Sequence, residues 1–246
     1  MNIVENIAHR GSSRKAPENT LAAFQQAILD QASAIELDVH LTLDGEIVVI
    51  HDEKIDRTTD GRGWVKDLIL SEIRQFSAGK WFSETHRAEK VPTLREVLEM
   101  IEQSSVWLNI ELKNNIVPYP KLEESVVAEI EYFGMEKRVV ISSFNHSSLV
   151  ALHAFRPKIP LAALYEASSG PLWQKAKQLG VTAIHPYYLT VSEEMVERCH
   201  QQGLGVRPYT VDHPADLRRL IDWGVDGIIT NVPDRLAQLL AKTEDL

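Results

Sequence analysis

Short apolar runs rich in Val and Ile alternate with amphipathic stretches along almost the whole chain. The runs predict strands over Ile3–Ala8, Ala34–Val39, Val106–Leu112, Val139–Phe144, Leu161–Tyr165, Ala183–Tyr187, Gly205–Val211 and Gly227–Ile229. A short extra strand, Glu46–Ile50, follows the turn Leu43-Asp44-Gly45, where Asp-Gly favours a hairpin. Between the strands a 3.6-residue period predicts helices. In Thr20–Asp30, Leu21, Phe24, Ala27 and Ile28 share one face, as do Leu94, Val97, Leu98 and Ile101 in Leu94–Glu102. Further helices are expected over Glu123–Tyr132, Ser147–Phe155, Leu172–Leu179, Glu193–His200, Ala215–Trp223 and Asp234–Leu240. Gly134, Gly180, Gly203 and Gly224 fall where helices should end, and Asn19, Thr93, Ser192 and Asp212 stand near helix starts as caps.

Strands alternating with helices imply a parallel sheet. The chain has 246 residues, close to the roughly 250 of a single barrel. The expected fold is therefore α/β, a (β/α)8 TIM barrel forming one domain over 1–246. The alternative is an open doubly wound sheet, but no Gly-rich dinucleotide fingerprint follows the first strand. The irregular stretch 53–92 is expected to be a small insertion after the second strand region, at one end of the barrel. It holds Gly61, Gly63, Gly79, Trp64 and Trp81, and the two tryptophans are expected to build a small satellite core. Loops of this length often serve as lids.

Charge excludes some partners. Lys and Arg number 26 against 35 Asp and Glu, a net charge of −9. That disfavours nucleic acid and adsorption to anionic membranes, both of which call for a basic footprint. Apolar runs such as Ile47–Ile50 fall far short of the roughly 20 residues that span a bilayer. The segment Met1–Asn6 lacks the basic and apolar regions of a signal peptide. The single cysteine, Cys199, allows no intramolecular disulfide and fits a reducing compartment. A cytoplasmic location without stable membrane insertion is the expectation.

Strands of a parallel barrel should be apolar, so their polar positions are informative. They cluster at strand C-terminal ends, where barrel enzymes gather reactive groups. His9-Arg10-Gly11 ends the first strand, and His51-Asp52 ends the extra one. Residues i and i+2 share a face, so Glu36 and Asp38 point into the barrel mouth while Ile35, Leu37 and Val39 face the helices. Glu111 and Lys113 share a face in the same way. Three converging carboxylates repel one another unless a proton or a cation intervenes, and a divalent cation with oxygen ligands is the simpler solution. Two histidines beside them suit general acid–base work. Arg10 offers a planar fork and Lys113 a point charge for a phosphate. An anionic substrate whose reaction moves protons fits this set, and a phosphate ester meets the description. Acyl transfer has no support, since no G-x-S-x-G elbow is present.

These motifs resemble the glycerophosphodiester phosphodiesterase family of the bacterial cytosolic type. They run in order: His9-Arg10-Gly11, Pro17-Glu18-Asn19-Thr20, Glu36-Leu37-Asp38, His51-Asp52, Arg57-Thr58-Thr59 with Gly61, and Ala78-Gly79 with Phe82. Pro92-Thr93-Leu94, Glu111-Leu112-Lys113, Ser143-Phe144, Tyr209-Thr210-Val211 and Asp226 to Asn231 follow. The resemblance implies His9 and His51 as the acid–base pair. It implies Glu36, Asp38 and Glu111 as ligands of one divalent metal ion, Mg2+ or Ca2+ with Mn2+ also compatible. Arg10 and Lys113 would contact phosphate, and Phe144 and Tyr209 would meet the substrate. The implied reaction converts a small glycerophosphodiester to sn-glycerol 3-phosphate and an alcohol. Competing readings are a lysophospholipase-D-like hydrolase of lipid phosphodiesters and a non-catalytic phosphodiester-binding protein. Three positions depart from the family pattern: Tyr209 stands where Trp is frequent, Asp212 where Asn is frequent, and Asn231 where Asp is common. Asn231 should accept a similar hydrogen bond. Glu18 is expected to serve the helix N-terminus through the dipole, with orientation of Arg10 as the alternative.

Overall fold

The computed structural model describes residues 4–155, 158–167 and 170–244. The strands are β1 (Glu5–His9), β2 (Ala34–Leu41), β3 (Ile47–Val49), β4 (Trp107–Leu112), β5 (Val139–Ser143), β6 (Leu161–Tyr165), β7 (Ala183–Pro186), β8 (Gly205–Val206) and β9 (Gly227–Thr230). The helices are α1 (Leu21–Leu29), α2 (Leu70–Ile73), α3 (Leu94–Glu102), α4 (Leu122–Tyr132), α5 (His146–Phe155), α6 (Leu172–Leu179), α7 (Glu193–Gln201), α8 (Pro214–Asp222) and α9 (Pro233–Glu244). Ile3, placed by its pattern in the first strand, lies outside the described residues.

The parallel ladder runs β8-β7-β6-β5-β4-β2-β1-β9, and β3 pairs antiparallel with β2 as the Asp-Gly turn predicts. Individual backbone bonds bring the two ends together: Asp226 N–H to Val206 O at 2.9 Å, Ile229 N–H to Pro208 O at 3.0 Å and Val211 N–H to Ile229 O at 3.0 Å. The barrel is thus nearly closed. The strand expected over Gly205–Val211 is regular only at Gly205–Val206. Pro208 has no N–H to give a ladder, yet Arg207 and Tyr209 still donate to Ile184 and Pro186.

Alternation on the strands divides two environments. Ile35, Leu37, Val39, Leu108 and Ile110 are fully buried in one cluster with Phe24, Leu94, Leu98 and Ile101 of the helices. Burial of each such side chain favours folding by about 1.5–3 kcal/mol. The opposite parity points inward: Ile7, Ala34 and Ile229 pack with Trp107, and so do Val140, Ala162 and Ala183. These fill the barrel floor, leaving its other end for Glu36, Asp38 and Glu111.

Two of the expected caps move by one residue. Thr20 rather than Asn19 caps α1, and His213 rather than Asp212 caps α8. Thr93 and Ser192 cap as predicted, Thr93 in a reciprocal box with Glu96. The displaced residues are used elsewhere: Asn19 adopts a left-handed φ of 56° and turns its amide to the barrel mouth.

The segment 53–92 builds its own apolar cluster from Ile55, Val65, Ile73, Ala78 and Val91, packed on Val48 and Ile50. Trp64 and Trp81 are not part of it, being 38% and 43% exposed. Lys54 Nζ lies 4.8 Å from the Trp64 ring centroid, and Trp81 Nε1 donates to Ala78 O. The Trp81 ring meets Phe82 edge-on, and the smaller aliphatics fill the cluster. No helix among the described residues is long and apolar enough to cross a membrane.

Candidate active site

Register brings the acids together. His9 lies opposite Glu36 on neighbouring β1 and β2, and Asp38 lies opposite Glu111 on β2 and β4. One oxygen each of Glu36, Asp38 and Glu111 falls within 4.8 Å of the others, and all three residues are buried. Each also accepts a protein hydrogen bond. Arg10 N–H gives to Glu36 Oε2 at 2.9 Å, Asn19 Nδ2 to Asp38 Oδ2 at 2.9 Å and Lys113 Nζ to Glu111 Oε1 at 2.8 Å. The sequence marks Asn19 as a cap and as part of the Pro17-Glu18-Asn19-Thr20 motif, without a contact to Asp38. Its role depends on a loop fold that no spacing rule encodes.

Burial, with Asp38 and Glu111 nearby, pushes the Glu36 carboxyl well above its ordinary range. Burial raises Glu111 as well, although Lys113 opposes it. For Asp38, burial is outweighed by Lys113 and Arg10, which hold it below the usual range. Two protein cations, Lys113 beside Glu111 and Asp38 and Arg10 beside Asp38, thus face three buried carboxylates. A divalent hard cation fits this donor set, in which one carboxylate oxygen of each residue lies within 4.8 Å of the others.

The histidines are anchored through Nδ1. His51 Nδ1 lies 2.7 Å from Asp52 Oδ1, and its Nε2 lies 3.2 Å from Lys113 Nζ. Lys has donors only, so Nε2 accepts and Nδ1 carries the hydrogen. His9 Nδ1 lies 2.7 Å from Asn231 Oδ1, while Asn231 Nδ2 donates to Asp212 Oδ2 at 2.8 Å. That second bond sets the amide orientation, so His9 also carries its hydrogen on Nδ1. Burial and the adjacent Arg10 pull His9 down to about 4. Asn231 accepts the bond expected of it, and Asp212 is its holder rather than a helix cap.

Glu18 is likewise more than a helix-dipole residue. It accepts from Arg10 Nη1 at 2.7 Å and from Arg57 Nη1 and Nη2 at 2.9 and 2.7 Å. Arg57 also binds Asp52, so one continuous network joins Arg10 to His51.

Above the acids opens a cavity of about 550 Å³ lined by His9, Arg10, His51, Glu111, Lys113, Phe144 and Tyr209. Glu36 and Asp38 are not among its lining residues. Sequence reasoning did not single out Glu53, Asn115, Ile116, Glu166 and Tyr187, which also line it. Each follows a strand C-terminus in a loop, which is the signal that could have suggested them.

A barrel with its polar groups at the strand C-terminal ends defines the broad class of barrel enzymes. Residues 9–235 match the model of the glycerophosphoryl diester phosphodiesterase family, from the end of β1 into α9. The chain belongs to that family. A glycerophosphodiester phosphodiesterase of Caldanaerobacter subterraneus subsp. tengcongensis is 45% identical over 96% of this chain and 97% of its own. One from Bacillus altitudinis is 42% identical, covering 95% and 96%. Among solved structures, an Oleispira antarctica phosphodiesterase in complex with the product sn-glycerol-3-phosphate aligns with a TM-score of 0.86. It is 31% identical and covers 96% of both chains. The Agrobacterium tumefaciens glycerophosphodiester phosphodiesterase aligns with a TM-score of 0.84 at 30% identity, covering 96% of this chain and 99% of its own.

Proposed function

We propose that this chain hydrolyses small glycerophosphodiesters to sn-glycerol 3-phosphate and an alcohol, with His9 and His51 as the acid–base pair. The observation that carries the reading is the pairing of two Nδ1-anchored histidines with Arg10 and Lys113 around one cavity. The Oleispira relative, with that product bound, supports the same chemistry.

Arg10 and Lys113 orient the phosphodiester, Arg10 by its fork and Lys113 as a point charge. One imidazole takes the proton of the nucleophile, which is water or the substrate's own glycerol hydroxyl. The bond from phosphorus to the alcohol oxygen breaks, and the other ring, entering the step as the imidazolium with a second hydrogen on Nε2, delivers that proton to the leaving oxygen and is left neutral. If the glycerol hydroxyl attacks, water opens the resulting cyclic ester. Asp52 and Asn231 keep both rings in the tautomer that presents Nε2 to the substrate. Glu36, Asp38 and Glu111 would hold one divalent ion, Mg2+, Ca2+ or Mn2+. When bound, it supplies polarisation of a phosphoryl oxygen and offsets developing negative charge.

The test is hydrolysis of glycerophosphocholine with both products identified. Release of sn-glycerol 3-phosphate and choline is expected. Release of phosphocholine, or strong preference for a long-chain lysophospholipid, overturns the assignment.

A further inference from the structure

Proton transfer by His51 depends on where its main chain stands, so the following rests on the acid–base reading above. We infer that His40 and Tyr119 form a positioning pair that fixes the His51 backbone at the barrel mouth.

β3 is short, and its ladder with β2 ends at the pair Val39–Val49. His51 lies beyond that pair. Ile50 N–H still reaches Asp38 O at 3.0 Å. The next anchor is a side chain: His40 Nε2 lies 3.1 Å from His51 O. His40 follows Glu36 and Asp38 at the i+2 spacing of β2, so it shares their face, and it is fully buried. A carbonyl only accepts, so Nε2 carries the hydrogen, and on a neutral ring Nδ1 is then an acceptor. Tyr119 O–H supplies the donor at 2.9 Å. The two rings also pack edge-on, with centroids 5.5 Å apart and planes at 84°. Tyr119 is buried in the loop between β4 and α4, the loop that opens with Lys113. Lys113 Nζ in turn lies 3.2 Å from His51 Nε2. Main chain and ring of His51 are thus held against the same loop.

An aliphatic side chain at position 40 would fill the space without two buried ring nitrogens to satisfy. What imidazole adds is a directed N–H for the His51 carbonyl. What Tyr119 adds is the hydrogen bond that keeps that hydrogen on Nε2, since the other tautomer would turn a lone pair towards the carbonyl. Asp52 and Lys113 orient the His51 ring, but a shift of the main chain carries the ring with it. A misplacement of about 1 Å can cost about 10²-fold in rate, so the carbonyl anchor bears on turnover.

The experiment is a double-mutant cycle on hydrolysis of glycerophosphocholine, with circular dichroism to confirm folding. His40→Leu should lower kcat about tenfold with KM nearly unchanged. His40→Gln offers an N–H to the carbonyl and an oxygen to the Tyr119 hydroxyl, and should restore most of the loss. Tyr119→Phe should lower kcat about threefold. In a His51→Ala background, His40→Leu should change kcat by less than about twofold, because the group it positions is gone. A role in packing alone would cost the same in both backgrounds and would not be rescued by Gln. Wild-type kcat in His40→Leu, or the same loss in both backgrounds, overturns the positioning pair and leaves the phosphodiesterase reading intact. If that chain does not fold, Tyr119→Phe is read in its place against the same two outcomes. Near-normal turnover of His51→Ala alone overturns both the acid–base role of His51 and the pair that serves it.

Discussion

Arg57 grips Asp52 with two hydrogen bonds, Nε to Oδ2 at 2.7 Å and Nη2 to Oδ1 at 3.0 Å. The acid that sets the His51 tautomer is thus itself set by the segment 53–92. Arg57 and His51 outweigh burial to hold Asp52 at about 2. The side-chain partners of Arg57 are Glu18 and Asp52, outside the acid cluster, which makes it a positioning residue. Arg57→Ala should lower kcat about tenfold with a smaller change in KM, and Arg57→Lys should restore only part, since Lys cannot reproduce the fork. Steady-state kinetics beside a thermal melt separates positioning from folding. Wild-type kcat in Arg57→Ala would remove the network from catalysis.

His9→Ala and His51→Ala should each reduce kcat by about 10²-fold or more with the fold retained. Near-normal turnover in either, measured with circular dichroism to confirm folding, would take that residue out of the proton transfers.

The amide of Asn231 leaves His9 with a neutral partner, and burial sets it at about 4. A carboxylate at that distance favours the imidazolium and should raise the value. Asn231→Asp should be made with Asp212→Asn, which exchanges donor and acceptor and preserves their bond. The acidic limb of the kcat/KM profile should then move to higher pH. A limb that stays in place would separate His9 from that titration.

His185 lies on β7 inside the barrel, fully buried, and neither ring nitrogen has a hydrogen-bond partner among the described residues. Burial, then Arg207, keep its pKa well below 6.5. The native ring is neutral, whereas the unfolded chain takes up a proton near pH 6.5. The unfolded state therefore binds more protons below that pH. Stability is complete above about pH 6.5 and falls by about 1.4 kcal/mol per unit below it, down to the folded pKa. Urea unfolding of wild type and His185→Phe between pH 8 and 5 should differ by this slope. Parallel curves would refute the linkage.

Glu36→Ala should weaken divalent-ion binding, followed by calorimetry with Mn2+ or Ca2+, and activity together. Full activity in excess chelator would eliminate the metal from the reaction.

Much of this site was legible because it obeys local periodicity. The i, i+2 rule places Glu36 with Asp38 and Glu111 with Lys113, and strand ends mark His9 and His51. Where the reading failed, a non-local partner had decided the matter. Asn19 and Asp212 looked like caps because that chemistry is short-range, but Asp38 and Asn231 claim them. Trp64 and Trp81 looked like a core because they are large, but aliphatic side chains of the segment 53–92 fill that space.

Alternation of apolar and polar positions, a property of neighbours in the chain, determined the strands, the helices and the inward acids. Barrel closure decided the rest. Glu18 meets Arg57, and His9 meets Asn231, across 39 and 222 residues. Such pairings arise only when adjacent parallel strands carry distant loops to one end of the barrel. There, burial sets each group's charge through partners that chain spacing does not record.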